Sequence, residues 1–111
     1  MRMKPIPRRF LPHSVLLKTP GTPDTWQQPI YAQRNLQYVR IEPSDKIIAS
    51  SDNTQRQLVC TLFFDCRNST PRGTEFSVGQ KIVWNEREMT VMTAERFYDG
   101  QTLHHWEVGL E

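Results

Sequence analysis

Two adjacent histidines, His104 and His105, stand just before Trp106 and Glu107 in the stretch TLHHWEVGL. A third, His13, lies near the other terminus, and two cysteines, Cys60 and Cys66, lie mid-chain. Such residues hold metals, move protons or attack electrophiles. In a strand, however, successive side chains point to opposite faces. His104 is then expected to share a face with Trp106, Val108 and Leu110, and His105 with Leu103 and Glu107. That alternation keeps the two imidazoles from one ion on one side. His105 and Glu107 do form an H-x-E pair, as in zinc deaminases, but the P-C-x-x-C those enzymes also need is missing. The plainer reading is one histidine at the edge of the core and one on the surface.

The cysteines offer no better site. In CTLFFDC they flank what reads as a single strand, placing them roughly 20 Å apart at about 3.3 Å per residue. A disulfide needs Cα atoms within about 7 Å, so two free thiols are expected. Their spacing is not the C-x₂₋₄-C of zinc sites. There is no G-x-S-x-G for a serine nucleophile, and no Walker or G-x-G-x-x-G loop for phosphates. The carboxylates are scattered singly. Neither an enzyme nor a cofactor is expected.

The elements around these residues read as β-structure. Short runs rich in β-branched and aromatic residues are separated by Pro, Gly, Asn and Asp clusters, and helical periodicity is hard to find. The runs are residues 13–18 (HSVLLK), 35–42 (NLQYVRIE), 57–65 (QLVCTLFFD), QKIVW, REMTVMTAERFY and QTLHHWEVGL. Both faces of 57–65 are largely apolar, predicting a central strand covered on both sides. Asn85-Glu86 reads as a tight hairpin turn and Asp99-Gly100 as another. Residues 19–30 and 43–57 read as two long loops, with KIIAS a possible extra short strand in the second. The fold class is all-β: a small antiparallel barrel or sandwich of five or six strands.

At 111 residues the chain is one domain, 1–111. Its hydrophobic content of 37% is low for a globular chain, so part of it is expected to lie outside the core. A net charge of +2 is too mild to predict nucleic-acid binding over the whole surface. No signal-peptide core or membrane-length apolar run is present, so a soluble, intracellular protein with no membrane partner is expected.

The charge is unevenly placed. The first eighteen residues carry Arg2, Lys4, Arg8, Arg9 and Lys18 and no acid, punctuated by Pro5, Pro7 and Pro12. Residues 1–12 therefore read as an extended basic arm, with Phe10 and Leu11 as an apolar anchor on a partner. The loops hold Trp26, Ile30, Tyr31, Ile47 and Ile48, apolar residues that are costly to leave in water. Together Arg8, Arg9, Phe10, Leu11 and these five loop residues are the candidate assembly contacts of a barrel completed by its neighbours.

The ordered segments IPRRFLPHSV, LQYVRIEP, LFFDCRNSTP, GQKIVWNEREMTV and LHHWEVGL resemble the minor capsid proteins of tailed phages and prophages of Gram-positive bacteria, within the head-completion group. The resemblance runs from Ile6 to Leu110, although the family's turn often has glycine where this chain has NERE. It implies a virion protein, made in the host cytoplasm, that forms a homo-oligomeric ring beneath the portal. There it would contact portal, adaptor and tail proteins, join head to tail, and retain packaged DNA by non-specific contact in the channel. It implies no catalytic or cofactor residue. A tail-completion or tail-terminator role in the same neck is the near alternative. A barrel that stacks single-stranded nucleic acid on Trp26, Trp84 and Trp106 is the alternative of another class.

Overall fold

A computed structural model describes residues 4–21, 31–49 and 54–111. Among them, a 3₁₀ turn (Arg8–Phe10) precedes eight strands: β1 (His13–Pro20), β2 (Tyr31–Pro43), β3 (Ile47–Ala49), β4 (Gln55–Gln57), β5 (Cys60–Asp65), β6 (Lys81–Trp84), β7 (Arg87–Asp99) and β8 (Thr102–Leu110). Six of them close an antiparallel barrel in the order β1-β2-β5-β8-β7-β6, while β3 and β4 pair only with each other. The β1–β6 pairing, Leu16 with Val83 through Lys18 with Lys81, makes this a barrel and not a sandwich.

Alternation fills the interior. Cys60, Leu62 and Phe64 of β5 point inward beside Val39 and Ile41 of β2, Val91 of β7, and Trp106, Val108 and Leu110 of β8. Each large apolar side chain buried this way is worth roughly 1.5–3 kcal/mol. Phe76, from the loop after β5, plugs the space between Phe64 and Trp106, meeting both rings edge-to-face at centroid distances of 5.4 Å. The outward residues Thr61 and Phe63 are only half-buried. Among the described residues strand β5 is therefore covered fully on one face only, because a small barrel has a single interior.

Several predicted boundaries shift for one reason: pairing extends strands through polar sequence. Strand β2 begins at Tyr31, four residues before the expected start, because Thr19 and Pro20 of β1 pair with Ala32 and Tyr31. Tyr31 is thus a strand residue, and the first expected loop begins only at Gly21. The second expected loop holds the β3–β4 ribbon, in which Ile47 pairs with Gln57, Ile48 with Arg56 and Ala49 with Gln55. The apolar strand accordingly starts at Cys60 and not at Gln57. Both hairpin turns appear as expected. Asn85 and Glu86 adopt φ of 54° and 65°, the two positive values a type I′ turn requires, and Gly100 adopts φ of 62°.

Three register shifts shape the barrel, the third between Phe97 and Tyr98 of β7 opposite His105 and Leu103. Between His13 and Val15 the register of β1 against β2 slips, with Tyr38 at φ 57° on the bulged strand. This frees Gln37 to exchange two backbone hydrogen bonds with Thr70, at 2.9 and 3.0 Å. The second bulge lies in β7 between Val91 and Thr93, opposite Gly109 and Leu110. There the Thr93 hydroxyl accepts the Gly109 amide at 3.2 Å, and Leu58 also packs close to Gly109.

Candidate assembly surface

The N-terminal residues 4–12 lie against the chain's own barrel. Pro5 and Pro7 hold them extended, and Phe10 N–H to Pro7 C=O closes the 3₁₀ turn at 2.9 Å. The tie point is Asp65, fully buried at the end of β5. One carboxylate oxygen accepts the Ile6 amide at 2.9 Å; the other accepts the Arg67 and Asn68 amides at 3.0 and 2.8 Å. Asn68 returns its side-chain amide to the Ile6 carbonyl at 2.7 Å. Ser69 completes the knot, its hydroxyl accepting the Asp65 amide at 2.9 Å and donating to the Tyr38 carbonyl. A buried carboxylate is stable only with such donors.

This docking divides the arm's candidate contacts. Leu11 is 1% exposed and serves the barrel's own core, so it is not a surface anchor; a proline-stiffened arm clipped at Ile6 brings it inward. Phe10 remains 47% exposed, and Arg8 and Arg9 are exposed. The Arg8 guanidinium lies 4.1 Å above the Tyr38 ring and that of Arg9 lies 4.8 Å above Phe10. Arg40 joins them, donating to the Phe10 carbonyl at 3.3 Å while paired with Glu42 at 2.6 Å.

The β3–β4 ribbon is the second exposed feature. It continues the β2–β5 pairing outward through Ser44 N–H to Val59 C=O and Leu58 N–H to Lys46 C=O. Ion pairs Arg56–Glu111 (3.0 Å) and Lys46–Glu95 (3.5 Å) steady its base. Ile47 is 61% exposed and Ile48 half-buried. Tyr31, at the start of β2, is partly exposed, whereas Trp26 and Ile30 lie outside the described residues. Sequence reasoning missed the exposed apolar residues Tyr38, Val78, Phe97 and Tyr98. Phe97 and Tyr98 alternate within a strand and were visible only as strand formers.

The frame that carries these surfaces, from Pro7 to Leu110, matches the family model described as Minor capsid protein over residues 7–110. The chain belongs to the minor capsid protein family. It is therefore a structural protein of a phage virion. No match was found among curated proteins or among solved structures.

In this minor capsid protein the histidines behave differently from the expectation. The inward place expected for His104 beside Trp106 is taken by Leu103, which packs against the core, and the Nδ1 atoms of His104 and His105 meet at 2.8 Å. The register of β8 against β7 slips here, His105 pairing with Phe97 and Leu103 with Tyr98, so His104 is an extra residue in the ladder and strict alternation breaks at it. His104 Nε2 donates to the Lys4 carbonyl at 2.7 Å, and His105 Nε2 faces Glu107 at 2.9 Å. His105 is stacked on Phe97 with centroids 4.8 Å apart. The string clasps the arm to β8. Among the described residues no group of three or more His, Cys, Asp or Glu is placed to hold a metal ion.

His13 is likewise structural in its contacts. Its Nδ1 accepts the Ile41 amide at 2.9 Å and its ring meets Trp84 edge-on at 5.0 Å. Both cysteines are free thiols. Burial, and then the Asp65 carboxylate beside it, push the Cys66 thiol pKa up and keep it a weak nucleophile. Of the tryptophans, Trp106 is 2% exposed and Trp84 half-buried, so neither offers an open face on which a base stacks.

Proposed function

We propose that the chain is a head-closure component, forming a ring beneath the portal that joins head to tail and retains packaged DNA. The observation that carries this reading is the division between a closed barrel and an outlying ribbon. A closed barrel has no free sheet edge, so it does not polymerise through its body. Among the described residues the β3–β4 ribbon pairs with no other strand, and its Ile47 is exposed. One copy's ribbon laid on a different face of the next makes a heterologous contact, the kind that closes into a ring. Exposed Phe10, Tyr31 and Tyr98 add aromatic anchors of the sort that dominate interface energy.

Membership of the minor capsid family supports a structural role in the virion, and the ring position goes a step beyond that membership. Deleting the gene tests it. DNA-filled heads without tails, or heads that leak DNA, are expected; normal tailed particles would end the proposal.

A further inference from the structure

The structure points to a phosphate-binding surface at one mouth of the barrel. We propose that Arg8 and Arg9, with the cleft between Arg8 and Ser14, hold the phosphodiester backbone of duplex DNA. The proposal deepens the head-closure reading, because it names the face that such a subunit turns to the channel.

The cleft, about 350 Å³ in volume, is bordered by Arg8, His13, Ser14, Gln37 and Tyr38, with Leu11 and Pro12 beneath. No carboxylate lines it. Among its lining residues, Arg8, Ser14 and Gln37 each carry N–H or O–H donors in the side chain. Because His13 Nδ1 accepts the Ile41 amide, its proton sits on Nε2 and its remaining nitrogen is also a donor. A concave site rich in donors and without a carboxylate suits an anion with several acceptor oxygens.

The arginines are prepared for that role. Among the described residues neither Arg8 nor Arg9 forms an ion pair with a carboxylate, unlike Arg40, which is engaged by Glu42. Each lies over an aromatic ring, Tyr38 or Phe10, which limits its rotamers while leaving the N–H edges free for bidentate pairing with phosphate. The turn itself is fixed by the Asp65 knot, so little ordering cost remains on binding. With a net charge of only +2, general attraction is weak, and binding has to be local to this face. Contacts to the backbone alone carry no sequence preference, which suits DNA that must slide past.

The test is fluorescence anisotropy of a labelled duplex with the full chain, repeated over a salt series and with unrelated sequences. Sequence-independent binding that weakens with salt is expected. Arg8→Ala with Arg9→Ala should weaken it about tenfold or more and lower the slope of log K against log salt by about 2. Arg56→Ala with Lys46→Ala removes the same charge from the ribbon and should leave slope and affinity in place. Matching thermal midpoints show that all variants are folded. Undetectable binding, or equal loss in both double variants, overturns the proposal. So does a third result, in which DNA binding is absent while Arg8→Ala/Arg9→Ala blocks incorporation into particles; this face would then dock an acidic protein. The gene-deletion phenotype is read independently, so head closure can stand while this surface assignment fails.

Discussion

The Asp65 carboxylate accepts the backbone amide of Ile6 at 2.9 Å across 59 positions of sequence. With the Arg67 and Asn68 amides on its other oxygen, this one buried side chain ties the arm, the end of β5 and the loop that carries Phe76. What resembles a dangling arm is part of the folded body.

Asp65→Ala should therefore be among the most damaging single changes. It strands three backbone donors, each worth roughly 1–3 kcal/mol when buried without a partner, and a total loss of about 3 kcal/mol or more is expected. Urea denaturation measures it; a loss below about 1 kcal/mol would show that water readily replaces the carboxylate.

Leu11 and Phe10 are neighbours with opposite fates. Leu11→Ala should cost about 2–4 kcal/mol, since the cavity is in the barrel's end. Phe10→Ala should stay within about 0.5 kcal/mol in the free chain, as an exposed position does, while impairing incorporation into particles. Deleting residues 1–11 should lower the thermal midpoint markedly, contrary to what an undocked arm would do.

Gly109→Ala probes the β7 bulge. An added Cβ meets the Thr93 hydroxyl and comes within 2.7 Å of a Leu58 methyl. A loss of about 1–3 kcal/mol is expected from this overpacking. In a Thr93→Ala background the same substitution should cost less, because neighbours sharing a contact are not additive.

Acid should weaken the fold through His13. Burial, and then the Arg40 charge, hold its pKa below the ordinary 6.5. The unfolded chain then binds this proton at higher pH than the folded one does. The stability contributed by neutral His13 is complete above the ordinary value and is lost as pH falls through it toward the lowered folded value. His13→Gln keeps an acceptor for the Ile41 amide but does not titrate, so its denaturation midpoint should fall less between neutral and mildly acidic pH. Equal pH dependence in the two proteins would contradict this.

The barrel was legible because short β-branched and aromatic runs are set off by turn residues, and Asn85-Glu86 tolerates two positive φ values. Strand β4 was not, since Gln55, Arg56 and Gln57 are all exposed and form a strand only because β3 offers a partner. The Asp65 knot was half-legible. DCRNS carries the local signal of an aspartate accepting amides two and three residues on, but nothing local announces Ile6. The histidine string was hidden because the period-two rule breaks at His104, where the register of β8 slips against β7, and no local motif marks that slip. The Arg8–Tyr38 contact was hidden because the bulge turning Tyr38 outward arises from register against β1, not from a local motif.

A density map of the assembled virion neck tests head closure most directly. The expected result is a closed ring of these barrels between portal and tail, with ribbons bridging adjacent copies and Arg8 and Arg9 facing the lumen. Barrels placed on the outer shell lattice, or a neck without them, would contradict it.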